Sequence, residues 1–309
     1  MPRHLNPVPP PDGSKRKRPV HPLERAVADM LRYHRGDRLQ EEVVAAVPAI
    51  SSVPMLSRLE NVRGDMRPDR VEALLRSYGA PEKDISEALD CLARAKQMPG
   101  WAPPSGSSEA FRALSAMEAR AKVIMVYQES SVPGMLQTRG YATALMEEFA
   151  RTQRDPGLRK RYELEIRERL EFRMRRQLLL EPDEREFPVF EAIIGEAALL
   201  TQRGGKAVHR EQLRTLYNLA ENRRRIRLRV LPASAPVSGL HNAMTLLKPH
   251  DDELGKVVYL ENRNRSGELE TDPVEVEAYQ QSLEELWVAA GGKEDAMRLL
   301  KKYIDQLED

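Results

Sequence analysis

Between residues 98 and 108 the chain reads Met-Pro-Gly-Trp-Ala-Pro-Pro-Ser-Gly-Ser-Ser, a run that neither a helix nor a strand can cross. Helical patterning stops on its near side and resumes on its far side, so it reads as a linker. The chain of 309 residues exceeds the size at which one hydrophobic core stops growing, roughly 250 residues. Four segments follow: a basic arm over 1–22, a small helical domain over 23–97, the linker over 98–108, and a larger domain over 109–309.

The arm carries Pro2, Pro7, Pro9 to Pro11, Pro19 and Pro22 around the cluster Lys15-Arg16-Lys17-Arg18. Such a composition cannot bury enough apolar surface to order itself. It fits either a strand of cations for phosphates or a solubilising tail. Bulk charge does not separate the two, because 49 Lys and Arg face 48 Asp and Glu, a net charge of +1. A nucleic-acid surface therefore has to be a local patch. The single cysteine, Cys91, rules out an intramolecular disulfide framework and cysteine-rich zinc modules, and it reads as a small buried hydrophobe. No run approaches the ~20 apolar residues of a membrane span, and a cytoplasmic, nucleoid-associated protein with no membrane partner is expected.

The first domain divides into five short helices. Leu23, Val27, Met30 and Leu31 share one helical face, and Gly36 ends it. A second helix from Leu39 turns Val43, Ala46 and Val47 inward and stops at Pro48. Ser51-Ser52 offers an N-cap to a third, with Pro54 in its first turn. Leu56 and Leu59 face its core, leaving Met55, Ser57 and Arg58 outward. Two more helices carry Val71, Leu74, Leu75 and Tyr78, then Ile85, Leu89 and Leu92. A short third helix, anchored on one side and polar on the other, is what the major groove admits.

In the larger domain a strand-like run, Val123 to Tyr127, breaks at Gln128 to Ser131. Val132-Pro133-Gly134-Met135-Leu136-Gln137-Thr138 then turns into a helix through Tyr141-Ala142. This stretch resembles the Val-Pro-Gly-Leu-Leu-Gln-Thr…Tyr-Ala signature of actinobacterial regulators with an N-terminal helix-turn-helix of the xenobiotic-response-element (XRE) type and an antitoxin-like C-terminal domain of uncharacterised role, the WhiJ-type family. Met135 is the one departure within it. Ser57-Arg58-Leu59-Glu60, Val71 through Gly79, Gln40-Glu41-Glu42, Arg173 through Gln177 and Val258-Tyr259-Leu260-Glu261 resemble further family segments. The likeness runs over nearly all of residues 23 to 305.

The resemblance implies a regulator of transcription that binds double-stranded DNA as a homodimer. Its second domain would sense a small ligand or, more in keeping with the family, a small partner protein encoded nearby. Gln40, Ser52, Met55, Ser57 and Arg58 would meet DNA, with Arg63 and Arg67 on phosphates. Val132, Pro133, Gly134, Gln137, Thr138 and Tyr141, with Tyr259 and Glu261, would shape the sensing surface. Two departures bear on this. The link from Gln40 to Arg58 is longer than the family's, and Val53, Pro54 and Met55 offer few base-edge hydrogen bonds. The competing expectation is an interaction module whose degenerate helix-turn-helix does not read DNA.

Further on, a charge-laced helix from Pro156 to Leu180 carries a seam of Tyr162, Ile166, Leu170, Met174 and Leu178. Glu163, Glu165 and Glu171 stand four residues before arginines on it. Phe187 to Ile194 reads as a buried strand, and a helix over 206–222 follows. In the next strand Ile226, Leu228 and Val230 alternate with Arg225, Arg227 and Arg229, which suits an anionic partner or, more simply, a guarded sheet edge. Short strands near Met244 and Val258 form a meander, before helices over 273–288 and 293–307. The fold class is α+β, mainly helical, with an all-α bundle and a mixed sheet.

No metal-ligand spacing, nucleophile elbow or phosphate-cradling glycine loop occurs, and the histidines fall at tail, loop and helix-surface positions. No catalytic residue, metal or cofactor is expected. Glu196, Tyr259 and Glu261 are the groups an undetected active site would use.

Overall fold

The computed structural model describes residues 21–97, 103–104, 106–180, 188–237, 243–249, 255–262 and 267–308. The basic arm to residue 20, most of the linker including Trp101, Phe187, and the loops holding His241 and His250 lie outside the described residues.

Helix α1 (Pro22–Arg35) starts where His21 Nδ1 accepts the Leu23 N–H at 3.1 Å and ends at Gly36, whose φ is +57°. Its expected apolar face, Leu23, Val27, Met30 and Leu31, is buried. Helices α2 (Gln40–Ala46) and α3 (Val53–Glu60) follow, joined by a turn that Val47 and Ile50 pin into the core. Ala46, expected inward, is exposed, because this helix of two turns has room for one buried position, Val43. Helices α4 (Pro68–Tyr78) and α5 (Glu82–Gln97) close the bundle, with Cys91 buried and its thiol pushed up to about 11 by burial.

Helix α6 (Glu109–Glu118) opens the larger domain, capped where Ser108 Oγ accepts the Phe111 N–H at 3.1 Å. It packs on α1 along one flank and on the sheet along the other. Arg120 Nε reaches Glu87 at 2.8 Å, and Arg94 donates to the Ala119 carbonyl at 3.0 Å, so the bundle and the larger domain share one hydrophobic cluster.

The chain then runs through β1 (Ala121–Gln128), α7 (Arg139–Arg151), α8 (Pro156–Arg176), β2 (Val189–Gly195), α9 (Glu196–Leu200), α10 (Gly205–Asn222) and β3 (Ile226–Leu231). After β4 (Met244–Pro249), β5 (Val257–Leu260) and β6 (Glu268–Glu270), it ends in α11 (Pro273–Ala289) and α12 (Lys293–Asp305). The sheet order is β3-β2-β1-β4-β5-β6. Strands β1, β2 and β3 are parallel, as their helical crossovers require, whereas β4 to β6 form the expected antiparallel meander. The register aligns Val126 with Ala192 and with Thr245. One face therefore presents Ile124, Phe190, Leu228 and Tyr259 to the cluster shared with α10 and α12. The other presents Met125, Ile193, Leu246 and Val258 to α11. The result is a mainly helical α+β fold.

One expectation for α8 gives way. A four-residue seam overshoots a 3.6-residue turn by about 40° per step, so Ile166, Leu170 and Met174 meet α7 but Leu178 ends 47% exposed. The helix closes in a 3-10 turn over 177–180 that buries Leu179 instead. Glu171 also reaches across to Arg139 at 2.7 Å, and Glu165 holds Arg161 and Arg169 at 3.0 and 2.8 Å. Strand β3 is an edge strand. Arg227 pairs with Glu191 at 2.9 Å, and the Arg229 guanidinium lies 4.0 Å over the Trp287 ring, so its basic face is partly spoken for.

Candidate functional site

Among the described residues, none covers the outer side of α3. Pro54, Arg58 and Asn61 are exposed, as are Arg63 and Arg67 beyond it; Ser52, Met55 and Ser57 are half-buried, with Met55 leaning on the core. Arg58 Nε donates to the Pro54 carbonyl at 3.0 Å, which lays its side chain along the helix. Arg67 pairs with Asp69 at 2.8 Å. Just past α3, Val62 takes φ +52°, a conformation unfavourable for a β-branched residue. It lets the Arg63 and Gly64 N–H groups both donate to the Arg58 carbonyl, at 2.7 and 3.1 Å, and so fixes where Arg63 leaves the helix.

Beneath this surface lies a buried charge. Glu60, 2% exposed, accepts Arg35 Nε of α1 at 2.6 Å and Gln40 Nε2 of α2 at 2.7 Å, while Arg32 donates to its carbonyl. Gln40, read from the sequence as a DNA contact, thus has its amide turned to Glu60. One carboxylate ties three helices together and sets the angle of α3.

The second site is a cavity of about 580 Å³ in the larger domain. It opens beside the carboxyl end of β1, where the sheet switches from parallel to antiparallel neighbours. Of the sensing residues read from the sequence, Val132, Pro133, Gly134, Gln137, Tyr259 and Glu261 line it. Thr138 and Tyr141 do not. Thr138 caps α7 through the Tyr141 N–H and donates its own N–H to Gln212 Oε1 at 2.7 Å. Tyr141 is fully buried, and its hydroxyl accepts the Val132 N–H at 3.3 Å. Both hold the turn rather than face the space it borders.

The turn is braced from three sides. Gln137 Nε2 donates to the Val132 carbonyl at 2.7 Å, Gln177 Nε2 to the Gln137 carbonyl at 2.6 Å, and Gln212 Nε2 to the Leu136 carbonyl at 2.9 Å. Arg173 Nη1 donates to Gln137 Oε1 at 2.5 Å. The Arg173 to Gln177 segment, singled out in the sequence, therefore supports the signature directly. Within the same segment, Arg176 makes a buried ion pair with Glu118, with Nε at 2.9 Å, and stacks 5.3 Å over Phe111.

Tyr259 forms part of the cavity wall, and burial above all, with Glu261 nearby, pushes its hydroxyl up to about 12. Gly267 lies against its ring, where an added Cβ would come within 1.9 Å. Glu261 accepts Gln128 Nε2 at 2.7 Å. Glu196 lies apart, its carboxyl held below the ordinary value by hydrogen bonds from Tyr303 and then from the Ala233 N–H. Sequence reading missed Ser107, Phe111, Phe149, Phe172 and Phe190, which line the cavity from separate elements. It also placed His209 on a helix surface, whereas the ring is fully buried with Nε2 2.8 Å from the Leu199 carbonyl. Only a partner from another element makes such a burial tolerable. Among the described residues no cluster of His, Cys, Asp and Glu could hold a metal, and no helix is long and apolar enough to cross a membrane.

A family described as a domain of unknown function (DUF5753) matches residues 111–302. No curated protein and no solved structure matches the chain.

Proposed function

The chain belongs to the DUF5753 family, and we propose that it is a DNA-binding regulator of transcription whose second domain receives a small ligand or a small partner protein. In this reading residues 23–97 are an XRE-type helix-turn-helix domain like that of the actinobacterial WhiJ-type regulators. The protein is cytoplasmic and nucleoid-associated, acts as a homodimer on two-fold sites, and carries no catalytic step. The observation that supports it is the open outer side of α3, with Arg58, Arg63 and Arg67 exposed above a helix anchored by Leu56, Leu59 and the Glu60 hub.

Arg58 is the residue on α3 best able to reach a base edge, and Arg63 and Arg67 serve phosphates. Gln40 acts from behind, through Glu60. The route between sites runs along α6, whose residues line the cavity on one side and pack on α1 on the other. Occupancy of the cavity would shift α1 and with it the α3 surface.

Footprinting on the DNA upstream of its own gene, with Arg58→Ala as the control, tests this. Protection should vanish in the variant, and unchanged protection would discredit α3 as the reading helix. The rival reading, an interaction module, draws on the long turn over 47–52 and the few polar groups at Val53 to Met55. It predicts no steep fall of DNA affinity with salt, whereas a regulator that neutralises several phosphates must show one.

A further inference from the structure

We propose that the cavity beside the Val132–Thr138 turn binds one small amphipathic molecule, a flat aromatic body bearing a single anionic head such as a carboxylate. This deepens the sensing half of the preceding reading and rests on it. Its test is read without DNA, so a failure here is distinct from a failure of DNA binding.

The space, about 580 Å³, is of the size small-molecule sites take, roughly 300–1,000 Å³. Protein interiors otherwise pack with few voids larger than a water. Of the five phenylalanines in the chain, four (Phe111, Phe149, Phe172 and Phe190) line this one cavity, and Tyr259 adds a fifth ring. They come from α6, α7, α8, β2 and β5, so no local packing pattern explains their meeting. Phe111 and Phe172 already meet edge to face, with centroids 6.0 Å apart, and a wall so rich in rings suits an aromatic guest.

Polar groups line the same cavity. Ser107 is 8% exposed and lines the cavity, and its hydroxyl has no hydrogen-bond partner. A buried hydroxyl in that state favours a ligand that supplies one. The wall carries Arg169, Arg173, Arg176 and Arg203 with Glu118 and Glu261; Arg169, Arg176 and Arg203 are paired with Glu165, Glu118 and Glu148, whereas Arg173 donates to the neutral amide of Gln137. Both carboxylates already accept hydrogen bonds, Glu118 from Arg176 and Glu261 from Gln128. Arg173 is held at the rim by Gln137 and passes over Gly134, where an added Cβ would lie 3.7 Å from its Nε. The signature turn thus aims a guanidinium, whose planar fork matches a carboxylate, at the cavity.

The test titrates the full chain with 1-anilinonaphthalene-8-sulfonate and, separately, with its uncharged relative N-phenyl-1-naphthylamine, following fluorescence and heat. One saturable site per chain is expected, with the charged probe bound about tenfold more tightly or better. Arg173→Met should erase that preference, so that the two probes bind alike. Ser107→Phe, which fills the space, should weaken both probes about tenfold or more, with circular dichroism melting showing that the variant is folded. If it does not fold, Thr245→Phe fills the same wall. Equal affinity for the two probes, a preference that survives Arg173→Met, or binding indifferent to both filling variants overturns the proposal.

Discussion

Glu60 and Glu118 are both 2% exposed and both face an arginine, yet they serve opposite surfaces. Glu60 sits in a filled core, and its counter-ion Arg35 keeps 21% of its side chain exposed. It shares its load with Gln40 and braces a helix whose reading side looks outward. Glu118 meets Arg176, which is 10% exposed, at the wall of a cavity, and braces a surface that looks inward. The same pair of groups can thus be a tie between helices or the lining of a site. What separates the two is how much water the cation retains and how much of the space beside it is filled.

The largest effect that would sharpen this contrast is at Glu118. Replacing it by leucine leaves the Arg176 charge buried without its carboxylate and should cost about 3–5 kcal/mol. Adding Arg176→Met should restore most of that, as seen in urea midpoints. A double variant no more stable than the single one would break the contrast. Glu60→Leu should cost less, about 1–3 kcal/mol, because Arg35 can turn to water. Adding Arg35→Met should recover little, since Gln40 still lacks its acceptor.

His209 gives a smaller, pH-dependent effect. Burial, first, with Arg203 adding to it, holds its folded pKa below 6.5. The unfolded chain therefore takes up the proton first, so stability is full above pH 6.5 and falls as pH drops below it. Thermal midpoints should decline from neutral pH into this range, and His209→Gln should flatten the decline. Least of all, Arg58→Ala should change stability by no more than about 0.5 kcal/mol while abolishing the footprint. A large loss of stability there would mean that the outward face is also a structural one.

Much of this could be read in the chain before its fold. The face of α1, the edge character of β3 and the meander follow from spacing and alternation, which are local. The signature turn was legible as well, down to six of its residues and neighbours that border the cavity. The rest depends on meetings between distant elements. Phe111, Phe149, Phe172 and Phe190 share no period, Ser107 falls in the linker run, and the bond from Gln40 to Glu60 joins residues that no local pattern pairs. The four-residue seam of α8 misled at Leu178 because the chain turned before the seam could complete itself.

Helix α6 has a consequence for how the molecule comes apart. Because it is packed into both halves at once, neither half can lose its order without stripping the other of a wall. The bundle and the sheet should therefore melt in a single transition. A guest that tightens one should raise the melting point of both, so heat alone would reveal whether news from the cavity reaches the far helices.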